Sequence, residues 1–260
     1  MKTLGPVLAL LLAAGVAEAQ PTLPPIAPDR ADAANSTATV GEGVVQVESG
    51  LAYSRTSAAG GAQRQFFVEG TLRAGLTERF EVRLDGQPFV KQWGPEAATG
   101  SGDYTLGFTW RFYDPPEGSG LPSLGVQPGV KLPTASAPIG TEKVDFSALA
   151  LATFDLPWDL SLDVNAGLAA LGQTRPSGYL LQALVAATLG AEIQERWLPF
   201  VALAYASRAQ RDGGDTLSVQ AGLVWRATRD VALDLSGQTS LIGQAPDYLL
   251  RVGASVRFGR

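Results

Sequence analysis

The chain of 260 residues contains neither cysteine nor histidine. Without cysteine there is no disulfide framework, thiolate nucleophile or thiolate metal ligand. Without histidine the chain lacks the usual general base, the usual transition-metal ligand and the side chain that titrates near neutrality. These two absences exclude most Ser–His, Cys–His and zinc-hydrolase mechanisms. The sequence therefore predicts a protein that is not an enzyme and that uses no metal and no cofactor, although Asp/Ser or Glu/Arg chemistry stays open.

Charge is also scarce, and long apolar runs are missing. Charged residues make up 17% of the chain against 45% hydrophobic residues, which is less charged than an ordinary soluble domain. Yet beyond the first 19 residues no apolar run is long enough for a transmembrane helix. The net charge of −5 leaves no basic footprint, which argues against a nucleic-acid partner.

The chain begins with a segment typical of secretion. Lys2 is followed by an apolar stretch over residues 4–16 and by Ala17-Glu18-Ala19, which together form a charged region, a short apolar region and a small-x-small cleavage site. We expect a signal peptide over residues 1–19, cleaved near Ala19, with a retained anchor helix as the alternative. Residues 20–43 are proline-rich at first and lack alternation, so we expect a flexible periplasmic N-terminal arm there.

What the chain has in abundance is strict alternation of apolar and polar residues. At 104–112 the even positions carry Tyr, Leu, Phe, Trp and Phe, as a strand with one apolar face requires. Segments of about ten residues have the length that a tilted strand needs to cross a bilayer. The sequence therefore predicts an all-β fold, a transmembrane antiparallel up-and-down β-barrel of about 12 strands over residues 44–260. The twelve predicted strands lie at 44–55, 65–76, 80–90, 103–113, 123–132, 145–156, 160–171, 179–193, 198–207, 216–226, 231–240 and 248–258.

The connections between these strands alternate in length. Short turns at 77–79, 157–159, 194–196 and 227–230 alternate with longer Gly/Ser/Pro-rich links, with 114–122 as a long exception among the turns. Bacterial outer-membrane barrels have short periplasmic turns and longer external loops. This pattern places the chain in the outer membrane of the Gram-negative cell envelope, with both termini in the periplasm.

Aromatic residues gather near the strand ends, where amphipathic rings favour the membrane–water interface. The alternative is that they form the core of a soluble β-sandwich. The predicted girdle on the turn side consists of Phe80, Trp110, Phe112, Trp158, Trp197, Trp225 and Phe258.

Charged residues occupy the face opposite the apolar band and must point into the lumen, since an Arg or Lys facing lipid costs about 2–4 kcal/mol at the midplane. They either set ion preference and bind a solute, or form a ladder of cross-strand ion pairs; their mixed signs favour the ladder. The predicted lumen-facing charged residues are Glu48, Glu69, Arg73, Glu81, Arg83, Asp85, Arg111, Lys131, Asp163, Arg226, Asp234, Arg251 and Arg257.

Several segments resemble the outer-membrane transporter family labelled putative meta-pathway of phenol degradation. The resemblance runs through residues 26–32, 40–51, 102–107 and 131–134, and is strongest in Leu-Arg-Ala-Gly-Leu-Thr-Glu-Arg-Phe-Glu-Val-Arg at 72–83. Ala31 stands where the family commonly has proline, and Ala135 where it commonly has glycine. The resemblance implies a barrel and a transport role, whereas the link to phenol breakdown is a label from which we infer no substrate.

These observations predict a channel or transporter for the passive passage of small solutes, hydrophobic or aromatic ones among them. The partners we expect are the lipid bilayer, the outer-membrane assembly machinery and a small-molecule solute. The alternative is a closed barrel with a filled lumen that acts as an adhesin or membrane-integrity protein. A third reading, an outer-membrane enzyme, is disfavoured by the missing histidine.

Overall fold

The computed structural model describes residues 23–30, 32–58, 60–243 and 246–259; the signal peptide expected over residues 1–19 lies outside them. The described residues form an all-strand fold. Among them no helix is long and apolar enough to cross a membrane. The strands are β1 (Val45–Ala58), β2 (Gly61–Thr77), β3 (Phe80–Trp93), β4 (Ala98–Gly100), β5 (Tyr104–Tyr113), β6 (Ser123–Leu132), β7 (Asp145–Leu156), β8 (Leu160–Thr174), β9 (Ser177–Ala191), β10 (Trp197–Ala206), β11 (Thr216–Arg226), β12 (Val231–Ile242) and β13 (Tyr248–Phe258).

Twelve of these strands close into one antiparallel barrel. Neighbours along the chain pair with each other, and β1 pairs with β13 to close the sheet. The short β4 pairs with the outer end of β3 and stands outside the ring. Closure leaves no barrel strand with an open edge, which is what a spanning sheet requires. The predicted fold class is confirmed.

The strands differ from the predicted segments mainly in length. The β1–β2 hairpin extends to Ala58 and Gly61, and the β8–β9 hairpin to Thr174 and Ser177. Two of the expected long loops are therefore tight connections. The alternation of apolar and polar residues ends at the edge of the apolar belt, whereas backbone hydrogen bonding between the strands continues beyond it. The hydrophobic pattern therefore underestimates the length of these strands.

Burial follows the predicted alternation. In β1, Gln46 and Glu48 are buried while Val45, Val47 and Leu51 are exposed. The outer surface of the barrel is accordingly a belt of exposed apolar side chains, and the polar face points inward. This arrangement is the inverse of a soluble core and fits a sheet surrounded by lipid.

The two ends of the barrel are built differently. At one end, here called the turn end, β7–β8 turns through Trp158 and Asp159 (φ 66° and 56°) and β9–β10 turns through Gln194 and Glu195 (φ 53° and 58°). Two consecutive residues with positive φ are the signature of the type I′ turns that suit twisted hairpins. The opposite end, the loop end, carries the longer connections, including the β6–β7 loop over residues 133–144.

The described residues before β1 hydrogen-bond to the inner wall of the barrel, in the region where the sequence predicts a flexible periplasmic arm. We call residues 23–43 the N-terminal arm. The Ile26 amide donates to the Arg229 carbonyl (2.9 Å) at the turn end, and the Gly43 amide donates to the Gly75 carbonyl (3.1 Å) where the arm joins β1. Because the arm has no strand partner of its own, its backbone groups find partners on the inner wall.

Candidate functional site in the barrel lumen

Inner-wall carboxylates hold the centre of the arm. Glu48 accepts hydrogen bonds from the backbone amides of Asp29 (3.1 Å) and Arg30 (2.9 Å). The Arg30 guanidinium donates to Glu69 (2.7 Å) and to Asp234. Charge-assisted bonds of this kind are stronger than neutral ones, so Arg30 fixes the arm in mid-lumen.

Two paired glycines make room for that guanidinium. Gly50 of β1 lies opposite Gly253 of β13. A Cβ added at Gly50 would lie 2.3 Å from the Arg30 Nη1, and one at Gly253 would lie 1.9 Å from its Nη2. Such distances are clashes, so the missing side chains form the groove in which Arg30 lies.

Inner-wall arginines bind the carbonyl groups of the arm. Arg73 donates to the carbonyls of Ala27 (3.3 Å) and Ala38 (2.8 Å), and Arg226 donates to that of Ile26 (2.9 Å). Guanidinium groups suit this task because each carries five N–H donors and no acceptor. The mixed signs of the lumen charges thus match a peptide, with carboxylates for its amides and arginines for its carbonyls.

The same groups form a central ion network. Arg73 pairs with Glu81 (2.8 Å) and with Asp29 of the arm (3.3 Å). Arg83 pairs with the other oxygen of Asp29 (3.0 Å) and with Asp85 (2.9 Å). We call this set, with Arg30, Glu48, Glu69 and Asp234, the charged wall; it lies on β1–β3, β12 and the arm.

The structure does not bring all the predicted lumen charges together. Arg251 joins the charged wall through Glu69, whereas the remaining residues act elsewhere, and Asp163 has no cationic partner among the residues that the structure describes. The contacts are Arg251–Glu69 at 3.2 Å, Lys131–Asp145 at 2.5 Å near the loop end, Arg111–Asp114 at 2.9 Å, Arg226–Glu192 at 2.6 Å and Arg257–Asp230 at 2.8 Å near the turn end, and a 2.6 Å hydrogen bond from Thr153 to Asp163.

The predicted girdle residues lie on the outer face near the turn end. Trp197 stacks on Trp225 at 5.7 Å, and Trp110 meets Phe112 edge-on at 5.8 Å between ring centroids. Trp158 is 88% exposed at the tip of its turn. Phe80 and Phe258 sit at the turn-end limits of β3 and β13.

The far side of the lumen carries a set of apolar side chains among its polar ones, a feature that sequence reasoning missed. Leu149 of β7, Leu184 and Ala186 of β9, and Ala204 and Ala206 of β10 line a loop-end cavity of about 300 Å³ together with Ala33 of the arm. We call the apolar side chains on the inner face of β7–β11 the apolar wall; Asn165, Thr188 and Ser218 lie among them. The signal in the sequence is that segments such as 179–193 carry apolar residues on both faces. That pattern leaves the choice between strand and helix ambiguous and does not by itself indicate a cavity lining.

A second cavity of about 460 Å³ lies along the same wall at the turn end. Leu156, Leu160, Leu198, Phe200 and Val224 form its apolar part. It is bounded on the arm side by Asp29, Asp32, Ala34 and Ser36.

A short stretch of the arm lies between the two cavities, since Ala33 lines one and Ala34 lines the other. We call residues 33–35 the arm crossing. The Ala34 amide donates to Thr188 Oγ1 (3.2 Å), and the Asn35 amide donates to Asn165 Oδ1 (2.7 Å). The Asn165 side-chain amide in turn donates to the Asn35 carbonyl (2.8 Å). Neutral hydrogen bonds to the wall therefore hold the crossing, in contrast to the ion pairs that hold Asp29 and Arg30.

The β6–β7 loop covers the loop end of the barrel above the charged wall. Ile139 of this loop packs on a buried cluster of Phe67, Val90 and Leu249 with Ala52. Apolar contacts thus cover part of the loop end above the arm's ion network. A cavity of about 510 Å³ remains between the loop and the network, with Arg30, Glu69, Asp85 and Lys131 in its lining. Further free space lies along the apolar wall.

Comparison with known sequences agrees with these features. The sequence model of a family described as "Putative MetA-pathway of phenol degradation" matches residues 28–258. No curated protein matches the chain.

Among solved structures, the COG4313 outer membrane channel from Pseudomonas putida F1 superposes with a TM-score of 0.70 at 14% identity, covering 90% of this chain and 100% of that chain. The NanC porin gives 0.58 at 8% identity over 82% and 98% of the two chains. The translocator domain of the autotransporter NalP from Neisseria meningitidis gives 0.51 at 14% identity over 84% and 89%. At these identities the likeness shows a shared barrel fold.

Proposed function

This chain belongs to the family described as "Putative MetA-pathway of phenol degradation", and on that premise we propose that it is an outer-membrane channel for the passive passage of small solutes. The exposed apolar belt would face lipid, and the turn end, where the arm enters, would face the periplasm. The bilayer, the assembly machinery and the solute remain the expected partners. The channel would have no catalytic role.

The observation that carries this proposal is the pair of cavities on the apolar wall. The cavity lined by Ala33 and the cavity lined by Ala34 lie on opposite sides of the arm crossing. Displacing three residues that are held by neutral hydrogen bonds would join them. The joined path would have apolar side chains along both cavities, including Leu149, Leu184 and Phe200, beside the polar groups that also line it. These apolar side chains support passage of small apolar or aromatic molecules.

The N-terminal arm would then be the gate. The charged wall keeps the rest of the arm in the barrel while the crossing moves. Arg30 is the anchor nearest to the crossing, with salt bridges to Glu69 and Asp234.

Single-channel recording in planar bilayers tests the proposal. We expect wild-type protein to show rare or small openings and Arg30→Ala to show larger or more frequent ones. Arg208→Ala is the matched control, because Arg208 contacts Arg211 and Asp215 within its own loop. Heat-modifiable migration on gels would verify that each variant has folded.

A closed barrel that serves as an adhesin or membrane-integrity protein is the second candidate. The arm bound inside the lumen and the Ile139 cover favour it. A folded Arg30→Ala protein that never conducts would support this candidate and contradict the channel.

A further inference from the structure

The turn-end cavity has an imbalance of charge that the arm does not account for. One basic residue, Arg226, lines it. The carboxylates lining it are Asp29, Asp32, Asp155, Asp159, Asp163 and Glu192.

Two of these carboxylates are neutralised within the protein. Asp29 pairs with Arg73 and Arg83, and Glu192 pairs with Arg226. In the described part of the chain, the other four have no salt-bridge partner. Asp155 and Asp159 lie exposed at the mouth of the cavity, whereas Asp32 and Asp163 lie deeper.

The two deeper carboxylates are under-satisfied. Asp163 is 9% exposed and accepts one hydrogen bond, from Thr153 (2.6 Å). One oxygen of Asp32 is buried and has no hydrogen-bond partner. The carboxylates of Asp29, Asp163 and Glu48 are its electrostatic neighbours. Buried polar groups normally have partners because an unpaired one costs about 1–3 kcal/mol, and more if it is charged. Asp32 and Asp163 line the same cavity, and the unpartnered oxygen of Asp32 leaves room there for a cationic donor that comes from outside the chain.

The rest of the cavity indicates what kind of cation fits. Besides the hydroxyl groups of Ser36, Thr153, Ser161 and Thr188, its other surface includes Leu156, Leu160, Leu198, Phe200 and Val224, which suit the apolar body of an organic molecule better than a hydrated inorganic ion. The described residues also contain no group of three or more acidic side chains placed to hold a metal ion. The volume of about 460 Å³ is within the range of small-molecule sites, roughly 300–1,000 Å³.

We propose that the turn-end cavity binds compact organic cations, with an ammonium group at Asp32 and Asp163 and an apolar or aromatic body against Leu198, Phe200 and Val224. The site rests on the proposed channel function and names a solute class for it. Two unpaired carboxylates would stabilise the ammonium group, and the body would bury apolar area that would otherwise meet water. An anion of the same size would meet four unpaired carboxylates and be repelled.

Isothermal titration calorimetry of the full chain in detergent micelles tests the site. The probes are benzylammonium, benzyl alcohol and benzoate, which share one ring and differ in charge. We expect saturable binding of benzylammonium, much weaker binding of benzyl alcohol and none of benzoate. Equal affinity for benzylammonium and benzyl alcohol would overturn the proposal.

Variants distinguish binding of benzylammonium at this site from its partition into the detergent micelles. Asp163→Asn and Asp32→Asn should each lower benzylammonium affinity about tenfold, which corresponds to ~1.4 kcal/mol. Asp212→Asn, in the exposed β10–β11 loop, should bind as wild type does. Asp32 is outside the strands, so its variant remains informative if Asp163→Asn does not fold. Wild-type affinity in Asp32→Asn together with any folded Asp163→Asn would contradict the site.

This binding assay needs no passage through the barrel. Binding without conductance in Arg30→Ala would sustain the site and refute the channel. Conductance without selective binding would sustain the channel and refute the site.

Discussion

At the residue scale, the lumen is organised around Arg30 and the groove that receives it. Gly50 and Gly253 leave space for its guanidinium, and Glu69 and Asp234 bind it. The alternation of apolar and polar residues along the strands was enough to predict that Glu69 and Asp234 point inward. It did not predict their partner, because Arg30 lies in a proline-rich segment that has no repeating apolar pattern.

Gly50→Ala should expel Arg30 and loosen the arm. The added Cβ would clash with the Arg30 guanidinium, the far end of a flexible side chain, so the barrel itself should stay folded. We expect faster tryptic cleavage after Arg30, followed by mass spectrometry. Gly237→Ala, whose Cβ would meet Leu250 at an ordinary 3.5 Å, is the control. Equal cleavage rates in the two variants would show that the groove does not hold the arm.

Arg73→Met should destabilise the folded barrel strongly. Arg73 is 1% exposed and compensates Glu81, Glu48 and Asp29. Its removal leaves buried carboxylates unpaired, at a cost of about 3–5 kcal/mol. Arg79→Met, which breaks one exposed pair with Asp114, should cost about 0–1 kcal/mol. Urea unfolding followed by gel mobility measures both, and similar losses would argue against a central network.

At the element scale, strands and short turns were predictable and the arm was not. The alternation at 104–112 reports a face against lipid, and the hairpin at Trp158 and Asp159 joins two such strands directly. The arm has no regular backbone pairing, so no pattern in its own residues shows where it lies. The sequence indicated a segment inside the lumen only indirectly. Thirteen inward-facing charged residues of mixed sign in a narrow barrel need hydrogen-bond or ion-pair partners.

The β7–β8 turn carries strain at Trp158. This residue has φ 66°, where a non-glycine L-residue loses roughly 1–2 kcal/mol and Asn is better tolerated. In micelles, Trp158→Asn should match or exceed the wild-type unfolding midpoint in urea, and Trp158→Val should fall below it. A Val variant as stable as the Asn variant would show that the turn stores no strain.

At the scale of the whole molecule, the lumen is divided into two sides. The charged wall binds the arm on one side and leaves a charged cavity of about 510 Å³ at the loop end, and the apolar wall with its two cavities lies on the other side. The sequence predicted the closed barrel of twelve long strands. It did not predict this division, because residues such as Leu149 and Leu184 face a cavity while their strand neighbours face lipid, and both environments select apolar side chains.

In the proposed channel, the arm crossing is the barrier that keeps a solute from passing between the two cavities. Because the native sequence has no cysteine, a double variant Ala34→Cys/Thr188→Cys would carry the chain's one possible disulfide. The Ala34 amide donates to Thr188 Oγ1 (3.2 Å), so the two residues are in direct contact, as residues joined by a disulfide must be. Oxidation would lock the crossing to β9, and a reductant would release it.

Single-channel conductance of this double variant, recorded before and after reductant is added to the same bilayer, tests the central claim most directly. We predict a silent channel when it is oxidised and wild-type openings once it is reduced, with no response to reductant in either single-cysteine variant. Equal conductance in the locked and released states would show that solute does not pass the crossing, and would contradict the account.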